Sequence, residues 1–244
     1  MIALDEKKRA PGYVISPALD GDDAVIFVPG LGGRTKFVDN WNAPGWDPVI
    51  RRATWNRPMN VPPIEERGSS LASLLEQSGM PKVVLVGHSM GGLVSLEAAR
   101  RIGQRLRGIV VMCQNPPHRT PLSKLVDLPD LELAEELGVP PHIKSHAAAL
   151  SEYARLWRWE YQLLNQYLES EPRPVLNAPV VAAGATGDPS SSNVEFLRDW
   201  QEYTTGRLSV HMVDGGHQMV EQLSPESLYQ WVREVSAETD PLIP

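Results

Sequence analysis

The residues most suited to chemistry lie in the hexapeptide Gly-His-Ser-Met-Gly-Gly at positions 87–92. It contains the G-x-S-x-G pattern, directly after the apolar run Lys82–Val86 and directly before a helical pattern. A serine on such a sharp strand-to-helix turn has a strained backbone and needs small residues two positions away on either side. The turn would expose Oγ above a sheet, with a helix N-terminus behind it that favours negative charge. Ser89 is therefore predicted to be a nucleophile, and the alternative is an ordinary structural turn.

A serine hydroxyl is a weak nucleophile and needs a general base, for which His217 is the best placed histidine. His217 follows the sequence Asp-Gly-Gly, just after the predicted strand Leu208–Val213. Asp188 follows the predicted strand Ala178–Gly184 and gives the chain order Ser, Asp, His, in which the carboxylate orients the imidazole. Asp214 is the nearest competitor for that role, but its closeness to His217 in the sequence favours a turn cap.

Two backbone N–H groups are predicted to stabilise the oxyanion of an acyl-transfer reaction. One belongs to Met90, directly after the nucleophile, and the other to Leu31, with Gly30 second, in the glycine-rich loop after the first predicted strand. That loop could instead be a flexible turn, and a phosphate loop is disfavoured because no Gly-Lys-Ser/Thr follows. Gly30, His88 and Trp157 are predicted to contact substrate, with core packing as an equal alternative for Trp157.

These candidates follow short apolar runs that end near glycine. The runs predict five strands, Ala24–Val28, Lys82–Val86, Gly108–Met112, Ala178–Gly184 and Leu208–Val213. Most lack apolar–polar alternation, which is typical of parallel strands buried on both faces. Helical patterns separate them, at Glu65–Ser78, Gly92–Arg101, Val194–Tyr203 and Pro225–Ser236. The alternation predicts an α/β fold with a mostly parallel central sheet flanked by helices.

One segment breaks this alternation, because no strand pattern occurs between Asn115 and Glu171. It carries two helical patterns, Asp130–Leu137 and Ser145–Ser170, together with many prolines. An insertion of this size between two core strands is predicted to be a helical lid over a site, at about residues 115–174. The 244 residues are expected to form a single domain, 1–244.

Composition disfavours several classes of function. The net charge of −7, from 23 Lys+Arg and 30 Asp+Glu, argues against a nucleic-acid-binding surface. With Cys113 as the single cysteine and no H-E-x-x-H or G-x-G-x-x-G motif, neither a metal nor a nucleotide cofactor is expected. No run approaches the roughly 20 apolar residues that cross a bilayer, and no signal peptide is recognised. We therefore expect no membrane partner and a cytoplasmic protein.

The sequence resembles the type II thioesterases of polyketide and non-ribosomal peptide assembly lines, within the α/β-hydrolase superfamily. The G-x-S-x-G motif fits both the family and the superfamily, whereas the second half of the chain is more specific. The segments that carry the resemblance are Pro116–His118, Leu128–Leu133, Leu137–Pro141, Arg158–Tyr167, Trp200–Gly206 and Gly215–His217. With the proline linker and the strand Pro179–Gly184 between them, the resemblance extends over most of the chain beyond Val83.

The resemblance implies an α/β-hydrolase fold with a helical lid insertion. It also implies a hydrolase that clears acyl groups from the phosphopantetheine arm of an acyl or peptidyl carrier protein through an acyl-enzyme, without a cofactor. It assigns Ser89, Asp188 and His217 as a catalytic triad and Met90 and Leu31 as oxyanion donors, the same set that the residues themselves indicate.

The first half of the chain departs from the family pattern. Asn40–Trp46 and Thr54–Pro58 stand where the family has other segments, and Gln218 stands where an aromatic residue commonly follows the histidine. These departures surround the expected mouth of the site and leave the acyl substrate open. A cyclase or acyltransferase on the same scaffold, a carboxylesterase acting on small esters, and a non-catalytic binding module are the alternatives.

Overall fold

A computed structural model describes residues 12–17, 23–33, 35–42, 49–56, 61–170 and 175–237. Within these ranges seven strands form one sheet, β1 (Tyr13–Ser16), β2 (Asp23–Val28), β3 (Ile50–Trp55), β4 (Lys82–His88), β5 (Leu106–Met112), β6 (Val180–Ala185) and β7 (Leu208–Val213). Their order is β1-β3-β2-β4-β5-β6-β7. Only the edge strand β1 is antiparallel to its neighbour, and the other pairings are parallel. The predicted mostly parallel α/β sheet is confirmed.

Helices cover both faces of this sheet. They are α1 (Val38–Trp41), α2 (Ile64–Gln77), α3 (Met90–Ile102), α4 (Asp130–Glu136), α5 (Pro141–Lys144), α6 (Ala147–Glu169), α7 (Val194–Arg198) and α8 (Pro225–Ser236). The predicted helix Val194–Tyr203 is α7 continued by a 3₁₀ turn, Asp199–Tyr203. None of the helices in the described part of the chain is long and apolar enough to cross a membrane.

The apolar strands divide their side chains between two cores, because successive residues of a strand point to opposite faces. Ile26 and Leu85 join the core beneath α2 and α3, whereas Phe27 and Val86 join the core beneath α1 and α8. Both faces of β2 and β4 are therefore buried. This double burial explains why these strands lack alternation in the sequence.

All five predicted strands are present, and β1 and β3 were missed. In β3 the arginines Arg51 and Arg52 interrupt the apolar run, so no strand pattern was visible. β3 is nevertheless held between β2 and β1, with Val25 opposite Ile50 and Tyr13 opposite Trp55. Parts of the two departures from the family pattern, at 43–46 and 57–58, lie outside the described residues.

The strand-free segment that follows β5 contains two 3₁₀ turns, Pro117–Arg119 and Lys124–Asp127, followed by α4, α5 and α6, and residues 171–174 lie outside the described ranges. Its longest helix, α6, packs against α2 and α4. The Tyr167 hydroxyl donates to Glu97 Oε1 at 3.0 Å, and the Asn165 side chain pairs with the backbone of Ser123. These contacts fix α6 beside the carboxyl ends of β2 and β4, where the candidate chemistry lies.

Candidate active site

Ser89 lies at the turn between β4 and α3 in a strained conformation, with φ 52° and ψ −134°. Such a backbone costs about 1–3 kcal/mol in a residue other than glycine. The surrounding packing holds it, because a Cβ on Gly91 would overlap the carbonyl oxygen of Val28. A Cβ on Gly30 would lie 2.8 Å from the Cβ of Ser89, so the glycine-rich loop approaches Ser89 closely. The G-x-S-x-G sequence therefore reflects the lack of space around this turn.

A chain of hydrogen bonds connects three side chains that follow β4, β7 and β6. Ser89 Oγ lies 3.0 Å from His217 Nε2, and His217 Nδ1 lies 3.0 Å from Asp188 Oδ2. Because a carboxylate only accepts hydrogen bonds, the tautomer that fits this geometry has its proton on His217 Nδ1, which leaves Nε2 to accept the hydrogen bond from Ser89 Oγ. Asp214, the competitor in the sequence, instead accepts a bond from Thr186 Oγ1 at 3.4 Å.

Asp188 is held in its ionised form although its side chain is only 2% exposed. Burial by itself would raise its pKa, but hydrogen bonds from His217, Ser191 and Ser190 outweigh burial and hold the pKa well below its usual range. The two serine hydroxyls donate at 2.6 Å to Oδ2 and at 2.8 Å to Oδ1. Sequence analysis missed Ser190 and Ser191. The sequence Asp-Pro-Ser-Ser, in which hydroxyls follow an aspartate at two and three residues, is the signal that could have indicated them.

Leu31 and Met90, the predicted oxyanion donors, lie on either side of Ser89. Met90 begins α3, and N–H groups in the first turn of a helix have no partner within the helix. Leu31 lines the same cavity as Ser89, in a turn closed by a bond from Gly33 N to Gly30 O. Both positions are compatible with the predicted role, which stays a prediction.

A cavity of about 660 Å³ opens onto Ser89 and His217. Gly30, His88 and Trp157, the predicted substrate contacts, all line it. Apolar and aromatic side chains form much of its wall, namely Phe37, Leu122, Leu125, Leu137, Tyr153, Trp157, Tyr161 and Leu164. An apolar cavity that ends at a hydroxyl and an imidazole suits an acyl chain whose carbonyl carbon reacts at Ser89.

A family model described as "Thioesterase domain" matches residues 60–234, which is more than half of the 244-residue chain. The chain belongs to the thioesterase domain family. The resemblance seen in the sequence is thereby confirmed at the level of the family. The matched region contains Ser89, Asp188 and His217, and it also contains α6.

Two curated relatives and one solved structure show which proteins this family member is similar to. Linear gramicidin dehydrogenase LgrE of Brevibacillus parabrevis is 29% identical over 143 residues, which are 54% of each chain. The probable anguibactin biosynthesis thioesterase AngT of Vibrio anguillarum is 23% identical over 165 residues, 64% of this chain and 65% of AngT. The match thus spans about half to two thirds of the length of these relatives.

The solved structure is that of YbtT, a type II thioesterase from the yersiniabactin pathway. It matches with a TM-score of 0.78 at 22% sequence identity, over 93% of this chain and 98% of YbtT. This likeness confirms the predicted α/β-hydrolase fold.

Cys113 lies beside the triad of this thioesterase-family chain. Single ligand atoms of Cys113, Asp188 and His217 lie within 4.8 Å of one another, a spacing compatible with a metal ion. Burial, together with the nearby charge of Asp188, raises the pKa of the Cys113 thiol to about 12, and the protonated thiol is a poor ligand. The chemistry of these donors therefore favours the hydrogen-bonded triad over a metal centre.

Proposed function

We propose that this chain is a serine thioesterase that hydrolyses acyl thioesters held on the phosphopantetheine arm of an acyl or peptidyl carrier protein. The pathway context is natural-product (polyketide or non-ribosomal peptide) biosynthesis, and the reaction passes through an acyl-Ser89 intermediate. The observation that carries the proposal is the hydrogen-bonded series Ser89, His217 and Asp188 at the end of an apolar cavity. Residues 1–244 form one domain in this proposal, and about 115–174 act as its lid.

In the first half of the reaction, Ser89 Oγ attacks the thioester carbonyl carbon and its proton moves to His217 Nε2. The carbonyl electrons move onto oxygen, and the N–H groups of Met90 and Leu31 stabilise the resulting oxyanion. Asp188 stays ionised and stabilises the imidazolium. When the intermediate collapses, the C–S bond breaks and the sulfur leaves as a thiol with the proton from His217.

In the second half, a water molecule attacks the ester carbon of acyl-Ser89. His217 takes a proton from that water and returns it to Ser89 Oγ as the C–O bond to the enzyme breaks. The product is a free carboxylic acid, and the enzyme regains its starting state. If a hydroxyl or amine of the acyl chain attacks instead of water, the product is a ring.

The thioester substrate and the carrier partner are supported by the family and by the names of relatives. AngT is named for anguibactin biosynthesis and YbtT for a pathway that makes yersiniabactin. LgrE is named as a dehydrogenase, but the chain here has no G-x-G-x-x-G motif with which to bind a dinucleotide. Hydrolysis is therefore preferred over redox chemistry.

Product analysis tests this function directly. The purified chain is incubated with acyl carrier proteins that bear acyl groups of increasing length, with the same acyl groups on N-acetylcysteamine, and with their ethyl esters. Mass spectrometry should show free acid from the thioesters, and Ser89→Ala should abolish its formation while the chain stays folded. A product lighter than the free acid by one water would establish a cyclase. Transfer of the acyl group to an added amine or alcohol would establish an acyltransferase. Turnover of the ethyl esters alone would establish a carboxylesterase.

A fluorophosphonate probe separates catalysis from mere binding. The probe should label the wild type at Ser89 and leave Ser89→Ala unlabelled, since it reacts with activated serine hydroxyls. Failure to label the wild type would overturn the nucleophile assignment and favour a binding module.

A further inference from the structure

Glu160 on α6 is a largely buried carboxylate that the proposed mechanism does not use. One of its oxygens lies 3.2 Å from Nη1 of Arg67 on α2. The two side chains are 16% and 6% exposed, so the ion pair is shielded from solvent. The pair connects α6, the long helix beside the cavity, to α2, which packs on α3.

Arg67 extends this connection toward one predicted oxyanion donor. Its Nε donates to the Pro62 carbonyl oxygen at 2.8 Å, and its Nη1 lies 4.0 Å from Sδ of Met90. Its Nη2 is buried and has no hydrogen-bond partner among the described residues. The guanidinium therefore packs against the side chain of Met90, the first residue of α3.

Glu160 extends the connection toward the other predicted donor. The backbone of Gly32, the residue after Leu31, lies close enough to the Glu160 carboxylate to oppose the rise in its pKa that burial causes. Trp157, one turn earlier on α6, packs on the same glycine, because a Cβ there would lie 3.1 Å from the indole. Trp157 of α6 thus packs on the loop that carries Leu31, and Glu160 lies close to the same loop.

A buried ion pair is weak evidence for stability, because removing two charges from water offsets most of their attraction. Apolar side chains of similar volume often stabilise a core equally well. The contact of Arg67 with Met90, and the position of Glu160 one turn from the Trp157 side chain that packs on Gly32, indicate a geometrical role instead. Oxyanion donors must lie about 2.7–3.1 Å from the developing charge, so small displacements of either backbone lower the rate.

We propose that the Arg67–Glu160 pair positions the oxyanion hole: it holds α6, the Gly32 loop and the start of α3 so that the N–H groups of Leu31 and Met90 converge on one oxygen. Both are positioning residues, since neither is placed on the reacting atoms. This inference rests on the proposed function, because it concerns the oxyanion formed at Ser89.

The variant Glu160→Gln tests the proposal because it keeps the size and shape of the side chain but removes the charge that faces Arg67. Losing a whole oxyanion donor costs about 100- to 1000-fold in kcat. Displacing donors without removing them should cost less, and we expect kcat to fall about 10- to 100-fold with KM changed less than about threefold. Glu160→Asp, which retains the carboxylate, should recover part of the loss. The measurement is steady-state hydrolysis of a short acyl-N-acetylcysteamine thioester.

A double variant separates positioning from folding. Arg67→Met with Glu160→Leu removes both charges, and thermal unfolding shows whether the chain still folds. Asp130→Asn is the matched control, because it breaks the 2.8 Å pair between Arg158 on the same helix and Asp130 on α4. We expect the folded double variant to retain the kcat defect and the control to hydrolyse at the wild-type rate. A folded double variant with wild-type kcat would overturn the proposal, as would an equal defect in Asp130→Asn.

Binding of an alkyl boronic acid provides a readout that does not depend on turnover. The boronate forms a tetrahedral adduct with a reactive serine and places an oxygen in the oxyanion hole. Its affinity should fall in Glu160→Gln by the same factor as kcat/KM, and unchanged affinity would overturn the positioning role. If the wild type hydrolyses no thioester, the proposed function fails, whereas the comparison of boronate affinity still tests the oxyanion hole.

Discussion

The Nε2 atom of His88 lies 2.8 Å from the backbone carbonyl oxygen of His217. The residue before the nucleophile therefore donates a hydrogen bond to the loop that carries the base. Burial lowers the pKa of His88 to about 4, although its bond to that carbonyl opposes the shift, so the ring is neutral near pH 7. The turn that carries Ser89 and the loop that carries His217 are thus joined twice, through the Ser89 hydroxyl and through His88.

Replacing His88 by alanine should lower kcat/KM about tenfold, because the base loop loses a hydrogen bond worth about 1 kcal/mol. His88→Gln, whose amide nitrogen can reach the same carbonyl, should lose less. Steady-state kinetics with an acyl thioester measures both variants. Equal activity of His88→Ala and the wild type would show that the bond does not position His217.

The stability of the fold should decrease in acid partly because of His88. Its folded pKa of about 4 lies below the ordinary value of 6.5, so the unfolded chain binds a proton first as the pH falls. The part of the unfolding free energy that depends on a neutral His88 is complete above about pH 6.5. It is lost as the pH falls toward 4, with a slope of up to about 1.4 kcal/mol per pH unit. Urea unfolding between pH 7.5 and 4.5 measures this slope. His88→Gln should flatten the profile, and an unchanged profile would contradict the assignment.

Asp188→Asn should lower kcat about 10⁴-fold, because an amide stabilises the wrong tautomer of His217 and cannot balance the imidazolium. Asp214→Asn is the matched control, since Asp214 bonds Thr186 rather than the histidine, and it should retain wild-type kcat. Thioester hydrolysis and circular dichroism on both variants measure activity and folding. A loss in Asp214→Asn as large as in Asp188→Asn would reverse the assignment of the acid.

Ser191→Ala should have a smaller effect than Asp188→Asn, because it changes only one hydrogen bond to the Asp188 carboxylate. Removing the 2.6 Å bond raises the pKa of Asp188, because one of the interactions that oppose burial is lost. A hydrogen bond to a charged group contributes about 1.5–3 kcal/mol, so the free energy of unfolding at pH 7 should fall by that order. The acid unfolding midpoint should move to higher pH. An unchanged midpoint would show that Ser191 does not stabilise the ionised Asp188.

Trp157→Ala should reduce the preference for long acyl chains, because the cavity loses an aromatic wall. Burial of a large side chain contributes about 2 kcal/mol, so the ratio of kcat/KM for octanoyl over acetyl thioesters should fall about 10- to 30-fold. Trp159→Ala on the same helix is the control. Its indole is 40% exposed and donates to the Val61 carbonyl. A similar fall in the Trp159→Ala ratio would mean that the helix as a whole, rather than the cavity wall, determines the preference.

The sequence by itself determined the local features. The turn at Ser89 could be predicted because its glycines, its preceding strand and its following helix are neighbours in the chain. The central strands could be predicted because burial on both faces requires near-continuous apolar sequence. The chain order Ser, Asp, His, with Asp188 and His217 each soon after a predicted strand, then indicated that both act with Ser89.

Tertiary structure decided every relationship that depends on packing between distant segments. Ser89 and His217 are separated by 128 residues, and Arg67 and Glu160 by 93, so no local pattern reports their distances. Strand β3 contains two arginines and is recognisable only from its partners in the sheet. Whether a buried charge is paired depends on which helices meet, and the position of α6 is fixed by contacts made along its whole length. The sequence therefore indicated which residues carry the proposed reaction, and the packing of α6 decided which side chains lie against the Leu31 loop beside them.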